Sequence, residues 1–203
     1  MTRTNGPSTI GVIMKSIRAF IALTLPSQVA ETLAAVSQEL APRVPDRAVK
    51  WVEPERIHLT LRFLGNTPVD RLDAIGSAIE AVAGVHNPFS LSLDRLGCFP
   101  NERRPRVIWV GLDGEVEALR RLKKDLDEAL SPLGWEPEEK RFRAHLTLGR
   151  VKRHHREIEL PWGTPVVPES WQVGGLHLIE SQLRPAGPLY TIRHSDRLAG
   201  ATG

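Results

Sequence analysis

The chain has 203 residues, of which 41% are hydrophobic and 25% charged, which is ordinary for a globular protein of one domain or two joined lobes. Its formal net charge of +3 and pI of about 9.3 allow a polyanionic partner without requiring one. A single cysteine, Cys98, excludes an internal disulfide, and no run of about 18 apolar residues is present to span a membrane. We therefore expect a cytoplasmic protein that does not contact a membrane.

The first half of the chain predicts alternating strands and helices. Ser27 is the predicted N-cap of the first helix, Pro42 closes that helix, and Gly84 ends the second. An unpatterned extension is expected at 1–13 and a flexible tail at 199–203, with one bilobal domain at 14–198. The predicted elements are a strand at 17–25, a helix at 27–41, a strand at 57–64, a helix at 69–83 and a strand at 89–96.

The second half repeats this order. It predicts a strand at 106–112, a helix at 115–134, a strand at 143–151, and closing strands at 171–181 and 188–194, with a proline-punctuated loop before them. The spacing also repeats, since 38 residues separate Phe20 from His58 and 36 separate Trp109 from His145. We interpret this as an internal duplication that yields two similar lobes, without a second helix after the later histidine strand.

Two nearly identical segments lie on equivalent predicted strands: HLTLRFLG at 58–65 and HLTLGR at 145–150. Because side chains alternate across a strand, each histidine shares a face with the threonine two residues later, while the leucines face the core. If a pseudo-twofold axis relates the lobes, both His/Thr pairs face one cleft. The pairs are His58 with Thr60 and His145 with Thr147.

Such a cleft suits in-line displacement at phosphorus, where the attacking and leaving oxygens lie on opposite sides. One imidazole can act as base while the other acts as acid near neutral pH, and the hydroxyls can donate to the non-bridging oxygens. A single histidine in a strand is more often structural, but two copies in a duplication favour catalysis. No metal is needed, and His154 and His155 lack further ligands at metal-binding spacing.

These paired motifs, with the opening RAFIAL at 18–23 and the tail ESQLRPAGPLYTI at 180–192, resemble the 2H phosphoesterase superfamily. Within it, the chain is most similar to the RNA 2′,3′-cyclic phosphodiesterases, historically called 2′-5′ RNA ligases. The resemblance implies a bilobal α+β fold of duplicated β-α-β units, with antiparallel sheets lining a central cleft. It also implies a cofactor-free hydrolase that converts RNA 2′,3′-cyclic phosphate ends to 2′-phosphates, with reversible 2′-5′ ligation as a further expectation.

Roles follow from the resemblance by motif position. His58 resembles the proton donor and His145 the proton acceptor, whereas the residues alone leave the two roles interchangeable. Thr60 and Thr147 match the phosphate-binding threonines. We expect a monomer whose partner is an RNA or nucleotide with a 2′,3′-cyclic phosphate end.

Five further side chains are candidates for substrate binding. Arg62 and Arg143 share the predicted faces of the histidines and could contact phosphates, with solvated strand-end cations as the alternative. Arg150 reaches the cleft only if the strand ends or bulges at Gly149. Phe20 and Tyr190 are candidates for stacking a nucleobase, although a core role competes for Phe20.

Two other functions stay open at this stage. One keeps the cleft but acts on a small cyclic nucleotide phosphate of the ADP-ribose 1″,2″-cyclic phosphate type. The other is a non-catalytic protein that binds RNA ends, against which the two titratable pairs argue, because binding alone does not need them.

Overall fold

The computed structural model describes residues 15–153, 158–185 and 187–200. The extension predicted at 1–13 and the last three residues of the predicted tail lie outside these ranges. Within them the chain forms three α-helices and nine strands. These are β1 (Ser16–Thr24), α1 (Ser27–Leu40), β2 (Val49–Trp51), β3 (His58–Pro68), α2 (Leu72–Ala83), β4 (Phe89–Phe99), β5 (Val107–Gly114), α3 (Val116–Leu130), β6 (His145–Val151), β7 (Ser170–Val173), β8 (Gly175–Gln182) and β9 (Leu189–Arg197).

The strands form two antiparallel sheets. Sheet A has the order β3-β1-β8-β9, and sheet B has the order β2-β6-β5-β4-β7. The two histidine strands are equivalent, because β3 pairs with β1 as β6 pairs with β5. Each half also gives one strand to the other sheet, since β4 pairs with β5 and β8 pairs with β1. The predicted α+β fold of duplicated β-α-β units with antiparallel sheets is confirmed.

The helices follow from the apolar periodicity of their sequences. In α3, Leu119, Leu122, Leu126 and Leu130 recur at helical spacing and are all fully buried. Burial of each such side chain contributes roughly 1.5–3 kcal/mol relative to exposure. Because these leucines and the motif leucines belong to one hydrophobic cluster, the helices cover one face of the sheets, here called the helix face. The opposite face carries the His/Thr pairs and is here called the cleft face.

Several predicted boundaries differ from the structure. The N-cap of α1 is Pro26 and not Ser27, which is the first helical residue, and Pro42 lies inside a following 3-10 turn. The segment 171–181 is two strands in different sheets, divided at Gly174. The neighbouring Gly175 allows this crossing, because an added Cβ would lie 2.6 Å from the carbonyl oxygen of Asp196.

Short β2 was not predicted, because three residues are too few to show a strand period. The absence of a helix between β6 and β7 was predicted, and none forms there among residues 152–153 and 158–169. No helix in the described part of the chain is long and apolar enough to cross a membrane.

Candidate active site

A β-bulge interrupts both histidine strands at the same place. In β3, Thr60 pairs with Ala22 and Arg62 with the preceding residue of β1, so Leu61 is the extra residue. In β6, Thr147 and Gly149 likewise pair with consecutive residues of β5, which leaves Leu148 extra. A bulge places two successive side chains on one side of a strand. The alternation is therefore reversed from the fourth residue after each histidine onward.

Both imidazoles are held by the same local hydrogen bond. The Nδ1 atom of His58 lies 2.7 Å from the carbonyl oxygen of Arg56, and that of His145 lies 2.7 Å from the carbonyl oxygen of Arg143. Because a carbonyl only accepts, each Nδ1 carries the hydrogen and donates it. The proton that each ring gains or loses is therefore the one on Nε2.

Aromatic rings fix the orientation of each imidazole. Phe20 stacks on His58 with ring centroids 4.7 Å apart, and the Tyr190 ring meets His58 edge-on at 5.2 Å. On the other strand, Phe99 meets His145 edge-on at 4.9 Å. The rings limit rotation of both imidazoles, and they also withdraw them from solvent.

Burial is the main cause that lowers the pKa of both histidines. The hydrogen bond from each imidazole to its backbone carbonyl opposes this shift by raising the pKa. The positive charge of Arg150 lowers the pKa of both histidines. The charge of His145 also lowers the pKa of His58, and that of Arg143 lowers the pKa of His145. Since β3 and β6 lie against each other, the two imidazoles are within electrostatic reach, and protonation of both together is disfavoured.

The predicted cleft position of Arg62 is wrong. The bulge at Leu61 turns Arg62 to the helix face, where it is 5% exposed. Its guanidinium donates to a carboxylate oxygen of Asp127 on α3 at 3.1 Å and to the carbonyl of Glu136. Arg62 therefore joins β3 to the segment after α3 and does not reach the cleft.

The same device brings Arg150 to the cleft face, as predicted for a strand that bulges at this point. Gly149 takes the helix-face position in β6, and Arg150 follows it, exposed. The effect of its charge extends beyond the histidines, because Arg150 also lowers the pKa of Tyr190 against the raising effect of burial. The guanidinium of Arg143 lies 4.6 Å from the centroid of Phe99, the ring that meets His145 edge-on.

The aromatic candidates separate into a buried and an accessible one. Phe20 is 3% exposed beneath His58, so it cannot stack a nucleobase, and the competing core role holds. Tyr190 is half-buried beside both rings. Phe63 was not among the predicted site residues, but it pairs with Phe20, lies on the cleft face and is 57% exposed. Recognising the bulge would have found it.

A third histidine lies on the cleft face but has both nitrogens engaged. His177 pairs with Ala22, and its Nε2 and Nδ1 atoms lie 3.2 Å and 2.8 Å from the hydroxyls of Thr24 and Ser195. Among residues 15–153, 158–185 and 187–200, no group of three or more His, Cys, Asp or Glu side chains could hold a metal ion. His154 and His155 lie outside the described residues.

Comparisons with known proteins identify the family to which the chain belongs. The family described as LigT-like phosphoesterase matches the chain twice, over residues 23–109 and 110–190. Two similar proteins, from Archaeoglobus fulgidus and Thermus thermophilus, are each named RNA 2′,3′-cyclic phosphodiesterase. They are 36% and 34% identical to the chain, and the matches cover 86% and 92% of it and 96% and 93% of their own lengths.

Solved structures show the same fold. A crystal structure of a protein from Thermus thermophilus has a TM-score of 0.76 at 32% identity, covering 92% of this chain and all of its own. Escherichia coli LigT complexed with 3′-AMP has a TM-score of 0.74 at 24% identity, covering 91% of this chain and 99% of its own. At that identity the second likeness supports the fold alone.

Proposed function

Because the chain belongs to the LigT-like phosphoesterase family, we propose that it hydrolyses RNA 2′,3′-cyclic phosphate ends to 2′-phosphomonoesters. His58 and His145 are the catalytic acid and base of this reaction. One observation carries the proposal: each imidazole donates Nδ1–H to the carbonyl two residues before it, which leaves Nε2 as the titrating atom. Two such rings in equivalent strands match a reaction that takes one proton and gives one.

The reaction begins with a water molecule in line with the bond from phosphorus to the ribose 3′ oxygen. His145 takes a proton from this water on Nε2 as the new oxygen–phosphorus bond forms. His58, protonated on Nε2, gives its proton to the 3′ oxygen as the bond from phosphorus to that oxygen breaks. The products are a 2′-phosphate and a 3′-hydroxyl, and solvent returns the proton from His145 to His58.

Hydrogen-bond donors and a positive charge on the cleft face stabilise the negative charge of the phosphate. The hydroxyls of Thr60 and Thr147 donate to the two non-bridging oxygens, where negative charge builds up in the transition state. Arg150 supplies the positive charge that both imidazoles experience. A bound phosphate opposes that charge, so substrate raises the pKa of the histidine that must hold a proton.

The nucleoside is held by the aromatic side of the cleft. Tyr190 is half-buried next to His58, and Phe63 is the exposed aromatic ring of the same sheet. Stacking on an aromatic ring accepts any nucleobase, because every base has a π-face. Arg143, stacked on Phe99 beside His145, is the second arginine available to a phosphate.

Ligation uses the same groups. If a 5′-hydroxyl of a second RNA takes the place of water, His145 removes its proton and a 2′-5′ phosphodiester forms. Incubation of two RNA pieces, one with a cyclic end and one with a 5′-hydroxyl, tests this secondary activity by the appearance of a 2′-5′ linkage.

Hydrolysis of an RNA oligonucleotide with a 2′,3′-cyclic phosphate end tests the main proposal. The product should be a 2′-phosphate, and His58→Ala or His145→Ala should lower kcat by about 10²–10⁴-fold. His86→Ala is the matched control, because His86 pairs with Asp125 of α3 and lies outside the histidine strands. Unchanged turnover in both cleft variants would refute the proposal, and binding without turnover by the wild-type protein would indicate an RNA-end binder.

A further inference from the structure

The cleft faces of the two sheets differ in chemistry just beyond the bulges. In sheet A, the row that crosses the strands there is apolar: Phe63, Phe20, Ile179 and Ile192. In sheet B, the equivalent row begins with Lys50 and Arg150 before it reaches Val107 and Phe99. One side of the cleft therefore suits a base, and the other carries unneutralised charge.

Lys50 and Arg150 are directly opposite each other on neighbouring antiparallel strands, and both are exposed. Lys152 continues the ladder, because its backbone N–H donates to the carbonyl of Ala48 at 2.9 Å. Its side chain is exposed two residues beyond Arg150, on the same face. We call Lys50, Arg150 and Lys152 the basic strip.

No carboxylate forms an ion pair with the basic strip in the part of the chain that the structure describes. None of its three cations lies within 4.0 Å of a carboxylate oxygen there, whereas seven other lysines and arginines do. Like charges directly opposite on adjacent strands destabilise a sheet. Such an arrangement favours an anionic ligand that spans the strip.

The basic strip begins at the catalytic centre. The charge of Arg150 lowers the pKa of His58, His145 and Tyr190, so its inner end is within reach of the reacting phosphate. Lys50 lies on the edge strand β2, so the strip leads from the cleft to the outer edge of sheet B. Residues two apart in a strand are roughly 6.8 Å apart, which lets successive cations meet successive phosphates of an extended strand.

We propose that the basic strip binds the phosphodiester backbone of the RNA strand that precedes the cyclic phosphate. This inference rests on the proposed function and narrows its substrate. The enzyme then prefers an oligonucleotide with a cyclic end to a cyclic mononucleotide, because only the oligonucleotide has phosphates to place on Lys50 and Lys152. Contacts of this kind position the strand without reading its sequence.

The test compares kcat/KM for a cyclic mononucleotide and for a short RNA that ends in the same cyclic nucleotide, at several salt concentrations. We expect the wild-type protein to favour the RNA, and the ratio to fall as salt rises. In Lys50→Ala/Lys152→Ala the ratio should drop on the order of tenfold. The slope of log(kcat/KM) for the RNA against log[salt] should become shallower by about 0.7 per lost phosphate contact.

Lys124→Ala is the matched control. Lys124 lies on α3, on the side of the molecule away from the cleft face, and its side chain is 73% exposed. It should leave the ratio at the wild-type value. Lys50→Arg/Lys152→Arg should preserve the preference, because the charge is kept. A thermal melt of each variant checks the fold.

The outcomes separate the two proposals. Hydrolysis of neither substrate by the wild-type protein would refute the proposed function. A wild-type ratio near one, or a ratio and salt slope that survive removal of both lysines, would overturn the basic strip while leaving the phosphodiesterase proposal intact.

Discussion

The two histidine strands share one backbone design and differ in the residues that follow it. Both place a bulge at the leucine after the threonine, and both anchor the imidazole to a carbonyl two residues earlier. The next two residues are Arg62 and Phe63 in β3 but Gly149 and Arg150 in β6. The two strands share the geometry that orients the imidazoles and differ in what the flanking side chains contact.

The first position after each bulge, which faces the helices, shows why the residues that follow the two motifs differ. Arg62 occupies it in β3, held by Asp127, and the indole of Trp135 donates to the carbonyl of Leu64 nearby at 3.0 Å. In β6 the neighbouring edge strand β2 supplies side chains to this place, so a Cβ on Gly149 would lie 2.6 Å from a methyl group of Val49. A side chain fits in β3 because β3 is itself the edge strand of sheet A and has no such neighbour on that side.

The largest expected effect is that a leaving group that needs no proton rescues one histidine variant and not the other. A substrate with sulfur in place of the 3′ oxygen releases a thiolate, which needs no proton because thiols are far more acidic than alcohols. His58→Ala should then recover to within about tenfold of wild type, while His145→Ala stays about 10²–10⁴-fold slower. Steady-state rates on the oxygen and sulfur substrates measure this.

Equal recovery of both variants, or of neither, would contradict the assignment of His58 as acid. Recovery of His145→Ala alone would exchange the two roles.

A second prediction contrasts Arg62 with Arg150. Arg62→Ala removes a buried cation and leaves the part-buried carboxylate of Asp127 with Lys123 as its partner, and it should lower the free energy of unfolding by about 3 kcal/mol. Arg150→Ala removes an exposed side chain and should change that free energy by less than about 0.5 kcal/mol while lowering activity. Urea denaturation of both variants measures the difference, and similar losses of stability would show that the two positions had not diverged.

The smallest expected effect is a shift in the dependence of kcat/KM on pH, caused by the charge of Arg150. Burial lowers the pKa of both histidines, so the state with one protonated imidazole should be most populated below pH ~6.5. The profile of kcat/KM against pH should be bell-shaped with its maximum there. Arg150→Gln removes a charge that lowers both pKa values, so both limbs should move to higher pH.

Arg120→Gln is the control for this shift, because Arg120 lies on α3 and pairs with Glu117. A profile that moves to lower pH in Arg150→Gln, or that moves equally in both variants, would contradict the cleft position of Arg150.

The difference between the strands also explains what the sequence could predict. A period of two was enough to pair His58 with Thr60 and His145 with Thr147 and to place the motif leucines in the core. It failed from Arg62 onward, because a bulge adds one residue without any mark in the local pattern. A bulge was considered in the second motif, as the condition under which Arg150 reaches the cleft. Had the same bulge been assumed in the first motif, Arg62 would have been assigned to the helix face and Phe63 to the cleft face.

Other misses have equally local causes. The sequence left Phe20 between stacking a nucleobase and a role in the core, and only the packed structure shows that the His58 ring covers it. The strand predicted at 171–181 crosses from one sheet to the other at Gly174, and hydrophobic periodicity does not record which sheet a strand joins.

The exchange of β4 and β8 between the sheets ties the two halves of the chain to one another. In sheet A, β1 of the first half pairs with β8 of the second, and in sheet B, β5 of the second half pairs with β4 of the first. Neither half therefore contains all the strands of its own sheet. We expect the two halves to unfold together, because separating them would break backbone hydrogen bonds inside both sheets.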